Sequence, residues 1–258
     1  MTYEPTVPDV ALLCIMAIFM AIEVRVFGRL GRAAARGARP DARMRAYAFL
    51  VAYQWALVAS VVMLWYAARR PWSTLLLGIP SRWGFAAGLI LAGAYIVLAV
   101  TQIRVVAYRP NLSERLRAQF AEIESIVPHT PRERRLWTFS AITAGCCEEV
   151  LFRGFLLAFV ASFTGLVAAV AISSVLFGLF HAYYGWRGIL KTGAFGLVMA
   201  IIAVGSASLI PVIIIHAAVD LASGHLGYLT FSNDQVAVDP SSAGLGGEGT
   251  LSPSPDRG

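Results

Sequence analysis

Titratable side chains stand at three points inside otherwise apolar stretches of this sequence. They form three short motifs: Glu148, Glu149 and Arg153 in "EEVLFR", His181 in "FGLFH", and His216 and Asp220 in "HAAVD". Carboxylates and imidazoles are the groups that most often transfer protons in catalysis, and both also bind metal ions. This set of residues predicts a site that polarises a water molecule, directly or through a metal ion, for attack on a carbonyl group.

The spacing inside each motif indicates which side chains act together. Glu149 and Arg153 are four residues apart and share one face of a helix, which suits a buried ion pair. Glu148 points about 100° away from Glu149 and is available for another role, such as that of a general base. His216 and Asp220 are also four residues apart, so Asp220 can orient the imidazole or share a ligand with it.

Each motif also has a structural interpretation when it is taken alone. Glu149 and Arg153 can simply stabilise their helix, and a lone histidine such as His181 is often a hydrogen-bonded contact between helices. The pair in "HAAVD" can act as a polar clamp between helices in the same way. Glu148 is the hardest residue to explain structurally, since no cation other than Arg153 lies near it in the sequence.

Other reaction classes have weaker support. The sequence contains no glycine-rich phosphate loop, no nucleophile elbow and no H-E-x-x-H motif. Ser173 and Ser174 precede His181 by seven or eight residues, which leaves a serine nucleophile as an alternative. The three cysteines all fall in apolar stretches, and an odd number without framework spacing argues against both a disulfide scaffold and a zinc knuckle.

The composition places these motifs in a membrane. Of the 258 residues, 58% are hydrophobic and only 14% are charged, whereas soluble domains carry about 25% charged residues. The mean hydropathy is +0.68. Charged groups at membrane depth are costly, so they normally pair with one another or line a wet cavity that serves a function.

The apolar stretches predict an all-α fold, a polytopic bundle of about seven to eight transmembrane helices. Seven spans of roughly 20 residues are recognisable, and they are 8–27, 45–67, 83–108, 136–161, 165–184, 187–206 and 209–230. Residues 1–231 would form one transmembrane domain whose motif-bearing core is 136–225. Residues 232–258, which are rich in Gly, Ser and Pro, would form a disordered polar tail.

Apolar residues recur at helical spacing among charges at Leu112, Leu116, Phe120 and Ile123. This pattern predicts an amphipathic helix at the membrane interface; a solvated connector is an equal alternative.

Arginine is concentrated in alternate connections between the predicted spans. The first of the two richest connections holds Arg25, Arg29, Arg32, Arg36, Arg39, Arg43 and Arg45, and the second holds Arg104, Arg109, Arg115, Arg117, Arg132, Arg134 and Arg135. The positive-inside rule then places the amino terminus outside, which a reporter fused after Arg36 would test. The net charge of +6 therefore indicates membrane orientation, and we expect no nucleic-acid partner.

The ordered motifs resemble those of the CPBP family of intramembrane proteases, which includes CAAX proteases and bacteriocin-processing enzymes. The similarity covers roughly residues 136–225. It implies that Glu148 and His181 activate the hydrolytic water, that His216 and Asp220 stabilise the oxyanion, and that Glu149 and Arg153 support their geometry. Family members are described as glutamic-type or as metal-dependent, so Zn²⁺ stays open, with Glu148, His181, His216 and Asp220 as candidate ligands. Relatives often have asparagine where this chain has Asp220, and they commonly have eight spans.

The resemblance implies an endopeptidase acting near the carboxyl end of a membrane-anchored protein or peptide. The substrate could be prenylated, a bacteriocin leader or a sorting signal. The abundance of Ala, Arg and Gly indicates a high-GC bacterial genome, which favours the non-prenylated options. We expect an integral protein of the bacterial inner membrane. The alternatives are a non-catalytic bacteriocin self-immunity or peptide-binding protein, and a transporter, for which the sequence shows no inverted repeat.

The predicted spans contain one geometric conflict. With a rise of about 1.5 Å per residue, Glu148 lies about 18 Å from the cytoplasmic end of its span. His181 instead lies close to the cytoplasmic end of the following span. The two side chains can share a water molecule only if the helix boundaries differ from these, and a separation beyond about 10 Å would exclude it.

Overall fold

The computed structural model describes residues 4–35, 41–80, 83–109, 111–121 and 123–232. These residues form an all-helical bundle without strands, as the sequence predicts. The helices are α1 (Val7–Ala35), α2 (Ala42–Ala67), α3 (Trp83–Tyr108), α4 (Asn111–Phe120), α5 (Pro131–Glu149), α6 (Leu157–Thr164), α7 (Leu166–Phe180), α8 (Gly185–Ser206) and α9 (Ile210–Phe231). A π-helical segment, Val150–Leu156, joins α5 to α6. The predicted tail lies outside the described residues except for Ser232, and so do Arg36 and Arg39.

Among the described residues, five helices are long and apolar enough to cross a membrane. They are α1 as far as Arg29, α2, α3, α8 together with the turn before it, and α9. Their outer surfaces are apolar, as the exposed side chains of Trp83 and Ile90 illustrate. Two helices near the motifs do not meet this criterion. Helix α5, which carries the glutamates, contains further charged residues, and α7, which ends just before His181, has only 15 residues. The protein is an integral membrane protein with a polytopic helical bundle.

The predicted span at 136–161 is one continuous helical run from Pro131 to Thr164. It begins five residues earlier than predicted because its start is fixed by a capping box rather than by hydropathy. The Thr130 side chain accepts a hydrogen bond from the Glu133 amide, and the Glu133 carboxylate accepts one from the Thr130 amide. The charged sequence that follows Pro131 is therefore helical, although it is not apolar.

The predicted amphipathic helix exists as α4, but it ends at Phe120, so Ile123 lies in the turn beyond it. Leu116 is buried and packs with Val106 of α3 and Leu226 of α9. Part of its apolar face therefore contacts the bundle instead of lipid.

The run from α5 to α6 lies at the centre of the bundle. Helix α5 packs against α2 on one side and α9 on the other, while α6 packs against α7 and α7 against α8. Gly165 reverses the chain between α6 and α7 with a φ of 80°, a conformation that glycine adopts at little cost. This tight reversal makes α7 run antiparallel beside the segment that carries the motif glutamates.

Candidate active site

Consecutive glutamates on α5 face two different neighbours. Glu148 points towards α2, where its Oε1 accepts a hydrogen bond of 2.9 Å from Gln54 Nε2. Glu149 points towards α9, where its Oε1 lies 2.6 Å from Nδ1 of His216. The helical offset of about 100° between adjacent residues thus gives the two carboxylates different partners.

Glu149 is the centre of a buried charged network. Its Oε1 also accepts a hydrogen bond of 2.9 Å from Arg153 Nη1, which is the ion pair predicted from their spacing. The second terminal nitrogen of Arg153 donates to the carbonyl of Gly196 on α8 at 3.2 Å. The guanidinium also lies 4.2 Å from the ring centre of Phe177. Glu149 is fully buried and Arg153 is 1% exposed, so this network joins α5, α8 and α9 inside the bundle.

The imidazole of His216 is oriented by Glu149 and not by Asp220. The spacing allowed Asp220 either to orient the imidazole or to share a ligand with it; its Oδ2 lies 3.7 Å from Nε2 of His216, beyond direct hydrogen-bond distance, which leaves the shared ligand as a prediction. Spacing along one helix favoured Asp220, whereas the closer partner comes from another helix. Since the carboxylate of Glu149 accepts, Nδ1 of His216 carries the proton and Nε2 faces Glu148 and Asp220.

Both histidines direct Nε2 towards the same oxygen of Glu148. The Nδ1 of His181 is 2.8 Å from the Phe177 carbonyl and donates to it, which leaves Nε2 facing the site. Each Nε2 lies 3.9 Å from Oε2 of Glu148. That oxygen is buried and has no hydrogen-bond partner among the described residues. Separations of this size are too long for direct hydrogen bonds but suit a bridging water molecule.

The depth conflict disappears when both positions are counted from the reversal at Gly165. Glu148 lies 17 residues before Gly165 and His181 lies 16 residues after it. At about 1.5 Å per residue, both are about 25 Å from that turn. Helix α7 ends at Phe180, well short of the length of the neighbouring run. Glu148 and His181 therefore lie at the same level of the bundle. The part of α5 that precedes Glu148 extends beyond this level, whereas α7 ends there.

A cavity of about 400 Å³ contains these groups. Glu148, His181, His216 and Asp220 all line it, and its apolar walls include Phe177 and Phe195. The segment between α4 and α5 closes one side through Ile123 and Ile126. The Tyr47 hydroxyl donates to the Ile126 carbonyl and so ties this segment to α2. Glu149 and Arg153 are not among the described lining residues, which fits a supporting role.

The candidate metal ligands do not form a metal centre as they are arranged. Zinc ligand atoms lie about 2.0–2.2 Å from the ion, and so about 3.3–3.6 Å from one another in a tetrahedral site. Glu148 Oε2 is 3.9 Å from Nε2 of both His181 and His216, and Asp220 Oδ2 is 3.7 Å from Nε2 of His216. No group of three or more His, Cys, Asp or Glu side chains suited to a metal ion occurs in the described ranges. A zinc ion here would require the donors to move closer together.

The serine alternative has no geometric support. The hydroxyls of Ser173 and Ser174 both donate to the Val170 carbonyl of their own helix, at 3.2 Å and 2.7 Å. Neither serine is among the described residues that line the cavity.

Two polar residues near the site are not predicted from the sequence: Gln54, which contacts Glu148, and a second buried acid on α1. Glu23 is 6% exposed and accepts a hydrogen bond from the Tyr53 hydroxyl of α2. The available signal was the presence of a polar residue inside an apolar span, "YQWALV" for Gln54 and "AIEVRV" for Glu23. Glu23 stands next to Arg25, the first arginine of a basic stretch that the sequence assigns to a connection, whereas α1 continues through it to Ala35.

The absence of a side chain at Gly145 allows α5 to approach α9. A Cβ atom at Gly145 would come within 2.7 Å of the Ala217 nitrogen and 2.9 Å of its Cα, distances that require the backbone to shift. Ala217 is next to His216, so such a shift would act directly on the contact with Glu149. Close approach of backbones through glycine is typical of helix pairs in membranes.

Gly145→Ala is expected to lower turnover by about 10²-fold, because an error of about 1 Å in the placement of reacting groups has that effect. The measurement is kcat of the purified protein in detergent, together with its thermal unfolding temperature. Gly93→Ala on α3 is the matched control, since a Cβ there meets nothing within 4 Å. Equal activity of the two variants would contradict the role of this close approach.

One of three comparisons with known proteins gave a match. Residues 132–222 match a family model described as Type II CAAX prenyl endopeptidase Rce1-like. No curated protein and no solved structure matched the chain. The matched segment covers about a third of the sequence and includes all three motifs, and it confirms the resemblance to CPBP intramembrane proteases.

Proposed function

Since residues 132–222 match the Rce1-like protease family model, we propose that this protein hydrolyses a peptide bond near the carboxyl end of a membrane-anchored substrate. The observation that carries this proposal is the placement of Glu148 Oε2 opposite Nε2 of both His181 and His216 inside one cavity. A carboxylate and two imidazoles around one point can hold a water molecule and receive its proton.

The geometry supports direct activation of water by Glu148. A water molecule between Glu148 Oε2 and His181 Nε2 donates one hydrogen bond to each, which directs an oxygen lone pair towards the substrate carbonyl. As the oxygen bonds to the carbonyl carbon, its proton passes to Glu148. Glu148 then delivers that proton to the amide nitrogen, the C–N bond breaks, and a carboxylic acid and an amine are released.

The oxyanion of the tetrahedral intermediate would be stabilised by His216. In its protonated form this imidazole donates from Nε2 to the oxyanion while Nδ1–H stays bound to Glu149. Asp220, whose Oδ2 is 3.7 Å from Nε2, would stabilise the positive charge on the ring. Arg153 keeps Glu149 in place, so the network below the cavity fixes the direction in which His216 points.

The cavity favours an apolar peptide segment as substrate. Phe27, Leu50, Phe177 and Phe195 supply much of its wall, while His181 and His216 lie close to Glu148. A prenylated carboxyl terminus, a bacteriocin leader and a sorting signal remain the candidate substrates. We propose the inner membrane of a bacterium as its location.

The experiment compares carboxyl termini of membrane proteins in cells that lack this protein, complemented with wild type or with His181→Ala. Uncut precursors should accumulate with the variant and disappear with wild type. His225→Ala is the matched control, since this histidine lies on α9, the helix of His216, but is not among the described cavity residues. If His181→Ala left the carboxyl termini of membrane proteins as in wild type and still complemented the phenotype, the non-catalytic immunity or peptide-binding alternative would be favoured.

Direct water activation predicts that metal removal leaves the activity intact. Treatment of the purified protein with a strong chelator should change kcat less than twofold, and elemental analysis should find far less than one zinc ion per chain. One tightly bound zinc per chain, with loss of activity on chelation and recovery on adding zinc, would instead establish the metal-dependent scheme. In that case Glu148, His181, His216 and Asp220 are the first ligands to substitute.

A further inference from the structure

The catalytic carboxylate of the proposed function is held by a residue from outside the family segment. Gln54 lies on α2, far from residues 132–222 in the sequence, and is 1% exposed. Its Nε2 donates the 2.9 Å hydrogen bond to Glu148 Oε1. We propose that Gln54 is a positioning residue that fixes the rotation of the Glu148 carboxylate, an inference that rests on the proposed function.

The terminal torsion of glutamate is broad, so a carboxylate without a partner rotates easily. The amide of Gln54 captures one oxygen of Glu148. The other oxygen, Oε2, is thereby directed at Nε2 of both His181 and His216. Without this hydrogen bond, either oxygen could turn towards the histidines or away from them.

The two adjacent glutamates differ in the charge of their partners. Glu149 is paired with the cation Arg153 and takes a supporting position. Glu148 accepts its 2.9 Å hydrogen bond from a neutral amide, which fixes one carboxylate oxygen without forming an ion pair with it. The other oxygen is thereby left to face the two histidines.

Gln54 is poorly explained as a packing residue. Its own Oε1 is buried and has no hydrogen-bond partner among the described residues, and an unsatisfied buried acceptor is unfavourable. The neighbouring Tyr53 uses its hydroxyl to donate to Glu23. Leucine or methionine would fill the same space without this cost, so the donor Nε2 is the feature that accounts for the glutamine; it bonds to Glu148, and the Gln54 side chain also contacts the Tyr53 hydroxyl.

The test is Gln54→Met, which keeps the volume and removes the donor. With a cleavable reporter peptide, kcat should fall by about 10- to 100-fold while KM changes less than about twofold and the unfolding temperature does not fall. Leu57→Ala is the matched control, one turn further along α2 and buried in the core. It should lower the unfolding temperature and leave kcat within about twofold of wild type. A wild-type kcat in Gln54→Met, or a loss of kcat that only parallels a fall in stability, would overturn the assignment.

A stability cycle with Gln54→Met, Glu148→Gln and the double variant needs no substrate. Coupled residues should give shifts in unfolding temperature that depart from additivity by about 2 °C or more. If wild type cleaves no reporter, the proposed function fails, and this cycle still decides the contact. Additive shifts would overturn the role of Gln54.

Discussion

Glu148→Gln is expected to lower kcat by about 10²–10⁴-fold, the contribution that a general acid–base residue usually makes. The substituted amide keeps the size of the side chain and can still accept a hydrogen bond from Gln54, but it cannot receive a proton. Binding of substrate should be retained, since the cavity walls are unchanged. The measurement is single-turnover cleavage of a reporter peptide by the purified variant, with peptide affinity determined separately.

The control for Glu148→Gln is the amount of folded protein in the membrane and its unfolding temperature, both of which should stay close to wild type. His225→Ala again serves as the matched variant with unchanged activity. If Glu148→Gln cleaved peptide at the wild-type rate, the carboxylate would not be the proton acceptor, and the proposed mechanism would fail.

Arg153→Met should produce the largest loss of stability, about 3–5 kcal/mol, because it leaves the buried carboxylate of Glu149 without its cation. At about 2–4 °C per kcal/mol for a chain of this size, the unfolding temperature would fall by roughly 10 °C. Cleavage should also be lost, since Glu149 orients His216. Thermal unfolding in detergent measures the first effect and the reporter assay the second.

The double variant Glu149→Gln, Arg153→Met separates charge from packing. It removes both charges, so most of the lost stability should return, while the glutamine oxygen can still accept from Nδ1 of His216. If Arg153→Met alone unfolded at the wild-type temperature, Glu149 would not be held as a buried anion.

The sequence predicted the elements and motifs well because charge inside apolar stretches is costly and therefore informative. The span of α3 and the pair of Glu149 with Arg153 follow from hydropathy and helical spacing alone. The start of α5 was predicted five residues late, since a capping box and not apolarity determines it.

Contacts between distant segments could not be predicted from spacing. Gln54 and Glu148 are 94 residues apart in the chain, and His216 takes its hydrogen bond from Glu149 on another helix instead of from Asp220 on its own. The level of His181 depended on the length of α7, which hydropathy extended past Phe180. These features depend on which helices pack together.

The π-helical segment that joins α5 to α6 is surrounded by protein along its whole length, since all seven side chains from Val150 to Leu156 are buried. A lipid-facing helix tolerates exchange of one aliphatic residue for another because acyl chains adapt to the new shape. Here each such exchange would add or remove a methyl group within a close-packed contact. In a library of random substitutions, this stretch should therefore behave like the core of a water-soluble enzyme, although it belongs to a membrane protein.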